Sequence, residues 1–227
     1  MKEKPKRYLP AEDKFLGYAF QALGDHYNSW EEFQMKYNTI QTDDDKEKFL
    51  EIASFYLFLV KNGHWEVNVD GSDSYVDYLD HSYKFIALFS LIESLMSEDF
   101  RDFFSYLNKR DVFPICKEQL KMLYGEYNKQ YGSIQNCSKF FEQFAPNSTG
   151  NLAKNLEIRG KRFLPEQVAK FLYEIRSKFI HECRLVLETS ENPTLSKRQN
   201  KSVLSNMTLP NLMELFEEGL INYFGLA

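Results

Sequence analysis

Residues 165–187 read PEQVAKFLYEIRSKFIHECRLVL, and their apolar side chains recur with the period of an α-helix. Proline suits the first helical turn, so we expect a helix that starts at Pro165 and runs to about Leu187. At about 100° per residue, one stripe centred on Ile175 would be buried. Its members are Val168, Phe171, Leu172, Ile175, Phe179 and Val186. This segment therefore predicts a long core helix.

The rest of the chain carries further helical signals. Thr42 precedes three aspartates and Gly63 follows an apolar run, a pattern that predicts a helix over 43–62. A long core helix is expected over 75–96. Other helices are predicted at 11–38 (two short ones), 98–108, 114–131, 133–144 and 208–223. The fold class is therefore predicted to be all-α, a helical bundle.

Three segments show turn or loop chemistry instead. Residues 65–69 alternate apolar and polar positions before a turn at 70–73, so a short extended segment or a loop is expected there. Residues 146–150 and the basic stretch 196–202 are interpreted as loops. The change of pattern near residue 70 predicts a helical N-terminal extension over 1–74 and a main bundle over 75–227.

Composition favours a folded, soluble, cytoplasmic protein. The 227 residues are 43% hydrophobic and include 20 Phe and 14 Tyr, enough for a large core. The start of the chain lacks the apolar segment of a secretory signal, and the apolar run 52–60 is too short to span a bilayer. No membrane association is expected.

The cysteines and histidines do not suggest a metal or cofactor site. The cysteines Cys116, Cys137 and Cys183 are widely spaced and predict reduced, mostly buried thiols rather than a zinc site. The aromatic residues, Trp65 among them, are interpreted as core. His26 is interpreted as a surface or satisfied core histidine.

Charge is unevenly distributed along the chain. The net charge of −5 argues against a protein that coats nucleic acid non-specifically. Residues 154–184 nevertheless contain eight positive and four negative side chains. A basic patch that attracts phosphate is therefore expected on an acidic body.

Three polar residues of the long helix should lie outside its buried stripe. Relative to Ile175, Arg176 projects at about 100°, Ser177 at about 200° and His181 at about 240°. An arginine and a histidine five residues apart are most often ordinary surface residues. Residues 172–181, LYEIRSKFIH, nevertheless resemble the R-x(4–6)-H signature of the HEPN superfamily, in wording closest to Apea-like HEPN domains. Residues 85–96, FIALFSLIESLM, resemble the early helix of that fold, and the resemblance covers roughly residues 75–225.

The resemblance implies a helical bundle that forms a homodimer, with the two motif helices facing each other across a cleft. Many members are metal-independent ribonucleases. His181 would then act as general acid or base, a role that an imidazole fits near neutral pH. Arg176 would hold the scissile phosphate. Ser177 replaces an asparagine common in the family and would orient phosphate or His181.

Further residues are assigned around this motif. Lys178 and Arg184 are predicted RNA contacts. Glu93 either approaches the motif from the neighbouring helix as a supporting residue, or is an exposed or capping carboxylate. Cys183 stands where toxins paired with a nucleotidyltransferase antitoxin often carry a tyrosine, which puts that pairing in doubt.

These residues leave three functions open. The first is an RNA-cleaving protein of phage defence or a toxin–antitoxin system, without a cofactor and with a composite dimeric site. The second is a non-catalytic module that binds RNA, a nucleotide or a protein through the same cleft. In the third, a helical interaction protein, the motif is coincidental and residues 1–74 bind the partner.

Overall fold

The computed structural model describes residues 6–65, 73–96, 103–110, 113–158, 160–182, 184–189, 192–198 and 201–227. These residues are mainly helical, as predicted, but they also form a small antiparallel sheet. The helices are α1 (Glu12–Leu23), α2 (Trp30–Tyr37), α3 (Asp43–Tyr56), α4 (Asp73–Met96), α5 (Phe103–Asn108), α6 (Lys117–Tyr131), α7 (Ser133–Lys139), α8 (Pro146–Lys154), α9 (Pro165–Glu182) and α10 (Leu209–Tyr223). The strands are β1 (Leu156–Ile158), β2 (Lys161–Arg162), β3 (Thr194–Arg198) and β4 (Lys201–Ser205).

Local capping explains where several helices start. The Thr42 side chain accepts a hydrogen bond from the Asp45 amide at 3.0 Å, which satisfies one free N–H at the start of α3. Helix α3 continues into a π-helical turn over Leu57–Lys61, so the predicted helix over 43–62 is confirmed. The segment predicted to be extended near residue 67 lies outside the described residues.

The loop predicted at residues 146–150 is wrong, because this segment starts α8. Pro146 occupies the first helical turn, where its missing N–H costs nothing. The amides of Asn147 and Ser148 donate to the Glu218 carboxylate of α10 at 3.1 and 2.7 Å. A distant acid therefore caps this helix, and local sequence patterns do not show that contact.

Residues 196–198 and 201–202, which were predicted to lie in a loop, form strands instead, so the all-α prediction holds only for the mainly helical character of the fold. The strands form one antiparallel sheet in the order β2-β1-β4-β3. Val203 of β4 is fully buried, whereas Ser202 and Leu204 are exposed. A strand with one buried apolar side chain does not show the alternation of apolar and polar residues that predicts a strand. Its hydrogen bonding with neighbouring strands, which depends on tertiary structure, determines its conformation.

One hydrophobic core extends from α1 to the C-terminus. It includes Leu23 of α1, Phe49 of α3, Phe85 of α4, Ile175 of α9 and Leu220 of α10. A second, smaller cluster joins α5 and α6. Residues on both sides of position 74 share the main core, and the division at that position stays a prediction. None of the described helices is long and apolar enough to cross a membrane.

Helices α4 and α9 run antiparallel and position the candidate site. The Tyr83 and Phe179 rings lie 5.6 Å apart, and Glu93, further along α4, reaches Arg176, which precedes Phe179 in α9. Helix α9 ends at Glu182 rather than near Leu187. Beyond it, the Val186 amide donates to the Ser82 hydroxyl of α4 at 2.9 Å, a tertiary bond that replaces a helical one.

Candidate functional site

A half-buried ion pair lies at the centre of the candidate site. Arg176 Nη2 of α9 lies 3.1 Å from Glu93 Oε2 of α4, and Nη1 lies 3.3 Å from the Tyr173 hydroxyl. The two charged side chains are only 17% and 27% exposed. Glu93 thus approaches the motif from the neighbouring helix, and Arg176 is less exposed than its position on the helical projection predicted.

Each member of the Arg176–Glu93 pair has one buried polar atom that no described residue hydrogen-bonds. Glu93 Oε1 and Arg176 Nε are buried and have no hydrogen-bond partner among the described residues. Burial raises the pKa of Glu93, although the charge of Arg176 opposes this shift. Nearby, burial and then the charge of Glu93 raise the pKa of the Cys137 thiol to about 12. Cys137 is therefore a protonated core thiol rather than a nucleophile.

The other predicted site residues differ in exposure. His181 lies in the last turn of α9 and is exposed, and no described residue forms a hydrogen bond or an ion pair with it. Ser177 and Lys178 are half-buried. Arg184 is exposed, and its Nε lies 2.8 Å from Glu182. Surface pairs of this kind are weak, so Arg184 remains available to an anion.

The chain by itself does not bring Arg176 and His181 onto the same side of α9. Five residues of α-helix separate them by about 140° around the axis and about 7.5 Å along it. Arg176 faces α4 through Glu93, while His181 is exposed to solvent. The structure brings together Arg176 and Glu93 but not Arg176 and His181.

An open aromatic groove contradicts the interpretation of Trp65 as a core residue. Trp65 and Tyr83 are exposed and stack with ring centroids 5.1 Å apart. They border a cavity of about 380 Å³ between α4 and the end of α3, which Phe55 and Leu59 also line. Because Tyr83 also contacts Phe179, the groove adjoins the motif helix. Helical periodicity cannot separate a groove wall from a core.

A buried carboxylate was missed by the sequence analysis. Glu217 of α10 accepts a hydrogen bond from the Tyr56 hydroxyl and lies 2.6 Å from His26 Nε2 and 3.2 Å from Lys61 Nζ. Its bond to Glu217 raises the pKa of His26, so His26 is a satisfied histidine, as interpreted. The partners are 156 to 191 residues away from Glu217 in the chain, and no sequence pattern links them.

The described residues include two of the cysteines, and they hold no group of side chains that could bind a metal ion. Within the ranges that the structure describes, no three His, Cys, Asp or Glu side chains are grouped closely enough to hold a metal ion. Cys116 is exposed, contrary to the buried thiol predicted, and Cys137 is buried; both are free thiols.

No family model, no curated protein and no solved structure matches this chain. Its function is therefore inferred from its own residues.

Proposed function

We propose that the chain is an HEPN-type endoribonuclease that acts without a metal ion through Arg176 and His181. The observation that carries the proposal is the exposed imidazole of His181 on the same helix as an arginine anchored by Glu93. An exposed imidazole is accessible to a substrate hydroxyl, as a general acid–base group must be. A guanidinium held by a carboxylate is already oriented, so it binds phosphate at a lower entropic cost.

The angular separation of Arg176 and His181 favours a composite site. In a homodimer whose α9 helices face each other, the imidazole of one copy would lie near the guanidinium of the other. His181 would take the proton of a ribose 2′-hydroxyl, and the resulting oxygen would attack the adjacent phosphorus. The bond from phosphorus to the 5′-oxygen would break, and the leaving oxygen would take a proton from solvent. Arg176 would stabilise the charge that develops on the phosphate. Arg176 Nη1 and Nη2 retain donors beyond those that Tyr173 and Glu93 accept.

The direct test is His181→Ala on single-stranded RNA in the presence of EDTA. We expect the cleavage rate to fall at least about 100-fold, the usual contribution of a general acid–base group. His64→Ala is the matched control, because His64 is also exposed but lies outside the motif helix. Cleavage retained in His181→Ala, or lost equally in the control, would reject the proposed enzyme.

The burial of Arg176 favours a second candidate, a non-catalytic module that binds RNA through the same surface. Arg176 is 17% exposed and already paired with Glu93, and a guanidinium does not exchange protons, so it can hold a phosphate without taking part in a reaction. In this case wild-type protein binds RNA without cutting it. Arg176→Ala should then weaken binding about tenfold, within the range for a lost charge-assisted hydrogen bond, as measured by fluorescence anisotropy. Unchanged affinity in Arg176→Ala would exclude this surface as the binding site.

A further inference from the structure

The aromatic groove runs along α4 beside the motif helix. One wall is formed by the end of α3 and the π-helical turn that follows it, and the other by one face of α4. On α4 the lining residues extend from Tyr83 to Leu91, so the groove is about 12 Å long at about 1.5 Å per residue. Its volume of about 380 Å³ lies within the range of small-ligand sites. Every residue that lines it is uncharged.

The Trp65 ring borders one end of the groove and is held in place by several contacts. Its indole N–H donates to the Leu59 carbonyl at 3.3 Å, and its backbone amide donates to Asp80 Oδ1 at 2.8 Å. Asp80 is itself paired with Lys84 at 3.0 Å, which compensates its charge. Tyr83 stacks on Trp65 with the ring planes 26° from parallel, yet the two residues remain 39% and 40% exposed. The pair therefore offers a pre-ordered π surface to a flat ligand.

The groove flanks the motif arginine. At one end, Tyr83 contacts Phe179, which lies one turn after Arg176 on α9. At the other end, Ser90 precedes Glu93 by one turn of α4, and Glu93 Oε2 lies 3.1 Å from Arg176 Nη2. Residues in this relation are neighbours on a helix surface, with Cβ atoms about 5–6 Å apart. A ligand in the groove therefore lies next to the residues that hold the guanidinium.

We propose that the aromatic groove binds a base of the RNA that the motif helix acts on, stacked against the Trp65–Tyr83 pair. That the polymer is RNA rests on the proposed function, whereas the preference for a flat aromatic group follows from the groove itself. Every base has a π face that stacks on aromatic side chains. Its polar edge stays in water, because the groove is open to solvent. The adjacent phosphate is the group that Arg176 binds.

An apolar groove beside a guanidinium favours a nucleotide over a segment of protein. A nucleotide supplies both a flat base and the anionic oxygens that a guanidinium binds. An apolar helix would also fill a groove between helices, but it would cover the neighbouring Arg176 without giving it an acceptor. Burial of a charged group without new hydrogen bonds costs free energy. The adjacent cation therefore points to a nucleic acid.

The test uses Trp65 as its own reporter, in the His181→Ala background where the RNA stays intact. The chain has two tryptophans, so Trp30→Phe leaves Trp65 as the single source of tryptophan emission. A single-stranded RNA oligomer and an abasic oligomer of the same length are titrated. We expect RNA to quench Trp65 emission to saturation. The abasic oligomer keeps the phosphates but has no base to stack, so it should leave the emission unchanged.

Trp65→Leu separates stacking from apolar contact, because leucine is apolar but has no π face. Its affinity for fluorescein-labelled RNA should fall at least about fivefold, the lower end of what one stacked base contributes. Trp65→Phe restores a ring and should lose less. Phe58→Ala is the matched control, since Phe58 lies in the same π-helical turn as Leu59 and is 47% exposed but does not line the groove. Thermal unfolding confirms that each variant is folded.

The proposal fails if Trp65 emission stays constant at RNA concentrations that saturate the protein, which would leave the groove to an apolar segment of a protein. It also fails if the abasic oligomer binds as tightly as RNA, or if Phe58→Ala loses as much affinity as Trp65→Leu. Cleavage by wild-type protein without a Trp65 response would keep the enzyme and reject the base site. A Trp65 response without cleavage would keep the base site and reject the enzyme.

Discussion

Replacing Glu217 by alanine should lower the free energy of unfolding by about 3–5 kcal/mol, the usual cost of removing one partner of a buried ion pair. The Glu217 side chain is 10% exposed and interacts with Lys61, His26 and Tyr56. Its loss leaves a mostly buried ammonium without its buried counter-charge and a buried hydroxyl without its acceptor. Urea unfolding measures the change, and a loss below about 1 kcal/mol would contradict the expectation.

Glu217→Gln is the matched control, because the amide keeps the size and an acceptor oxygen but removes the charge. We expect an intermediate loss of about 1–3 kcal/mol, since hydrogen bonds to Tyr56 and Lys61 can persist. A loss equal to that of Glu217→Ala would assign the whole effect to charge. A loss near zero would show that size and a hydrogen-bond acceptor suffice at this position and that the charge contributes little.

The same cluster should make stability depend on pH. Burial raises the pKa of Glu217, but bonds from His26 and Tyr56 and the charge of Lys61 outweigh it, so this pKa lies below its ordinary value of 4.5. Its contribution is present above that value and is lost as pH falls. The pKa of His26 lies above its ordinary value of 6.5, so its contribution is complete below 6.5 and is lost as pH rises. The cluster therefore stabilises most between about pH 4.5 and 6.5, and Glu217→Gln should flatten both slopes.

Replacing Phe216 by alanine should cost about 3–5 kcal/mol of unfolding free energy, the usual range for a buried Phe→Ala change. Phe216 is fully buried in α10, and its ring centroid lies 4.8 Å from that of Tyr56 and 6.2 Å from that of Phe140. The Phe140 ring packs directly on the backbone of Gly219, where a Cβ would lie only 2.2 Å from it, so this ring is held in place beside the cavity. The ring therefore leaves a space that its neighbours cannot easily fill.

Phe104→Ala is the control for this prediction. Phe104 of α5 is 66% exposed, so the same truncation removes little buried area and should cost less than about 0.5 kcal/mol. Urea unfolding of both variants, compared with wild type, measures the difference. Similar losses at the two positions would show that helix propensity rather than cavity formation sets the cost.

The candidate site was only partly predictable from the sequence. The motif of α9 indicated Arg176 and His181 because both residues lie in one short segment, and its resemblance to a known signature depends only on local order. The ion-pair partner of Arg176 is Glu93, which is 83 residues away. The groove at Trp65 and Tyr83 was missed because helical spacing is the same on a core face and on a groove wall.

The sequence by itself determined most of the helices, because caps such as Thr42 and the apolar period of α9 act within a few residues. Only the tertiary structure decided that residues 146–150 start a helix, that 194–198 and 201–205 pair as strands and that Glu217 is buried among three polar partners. Each of these outcomes depends on groups distant in the chain: Glu218 for α8, β1 for β4, and His26, Tyr56 and Lys61 for Glu217. Backbone polar groups and carboxylates are buried only where a hydrogen-bond or ion-pair partner compensates for the lost water. Local sequence does not specify a partner that is distant in the chain.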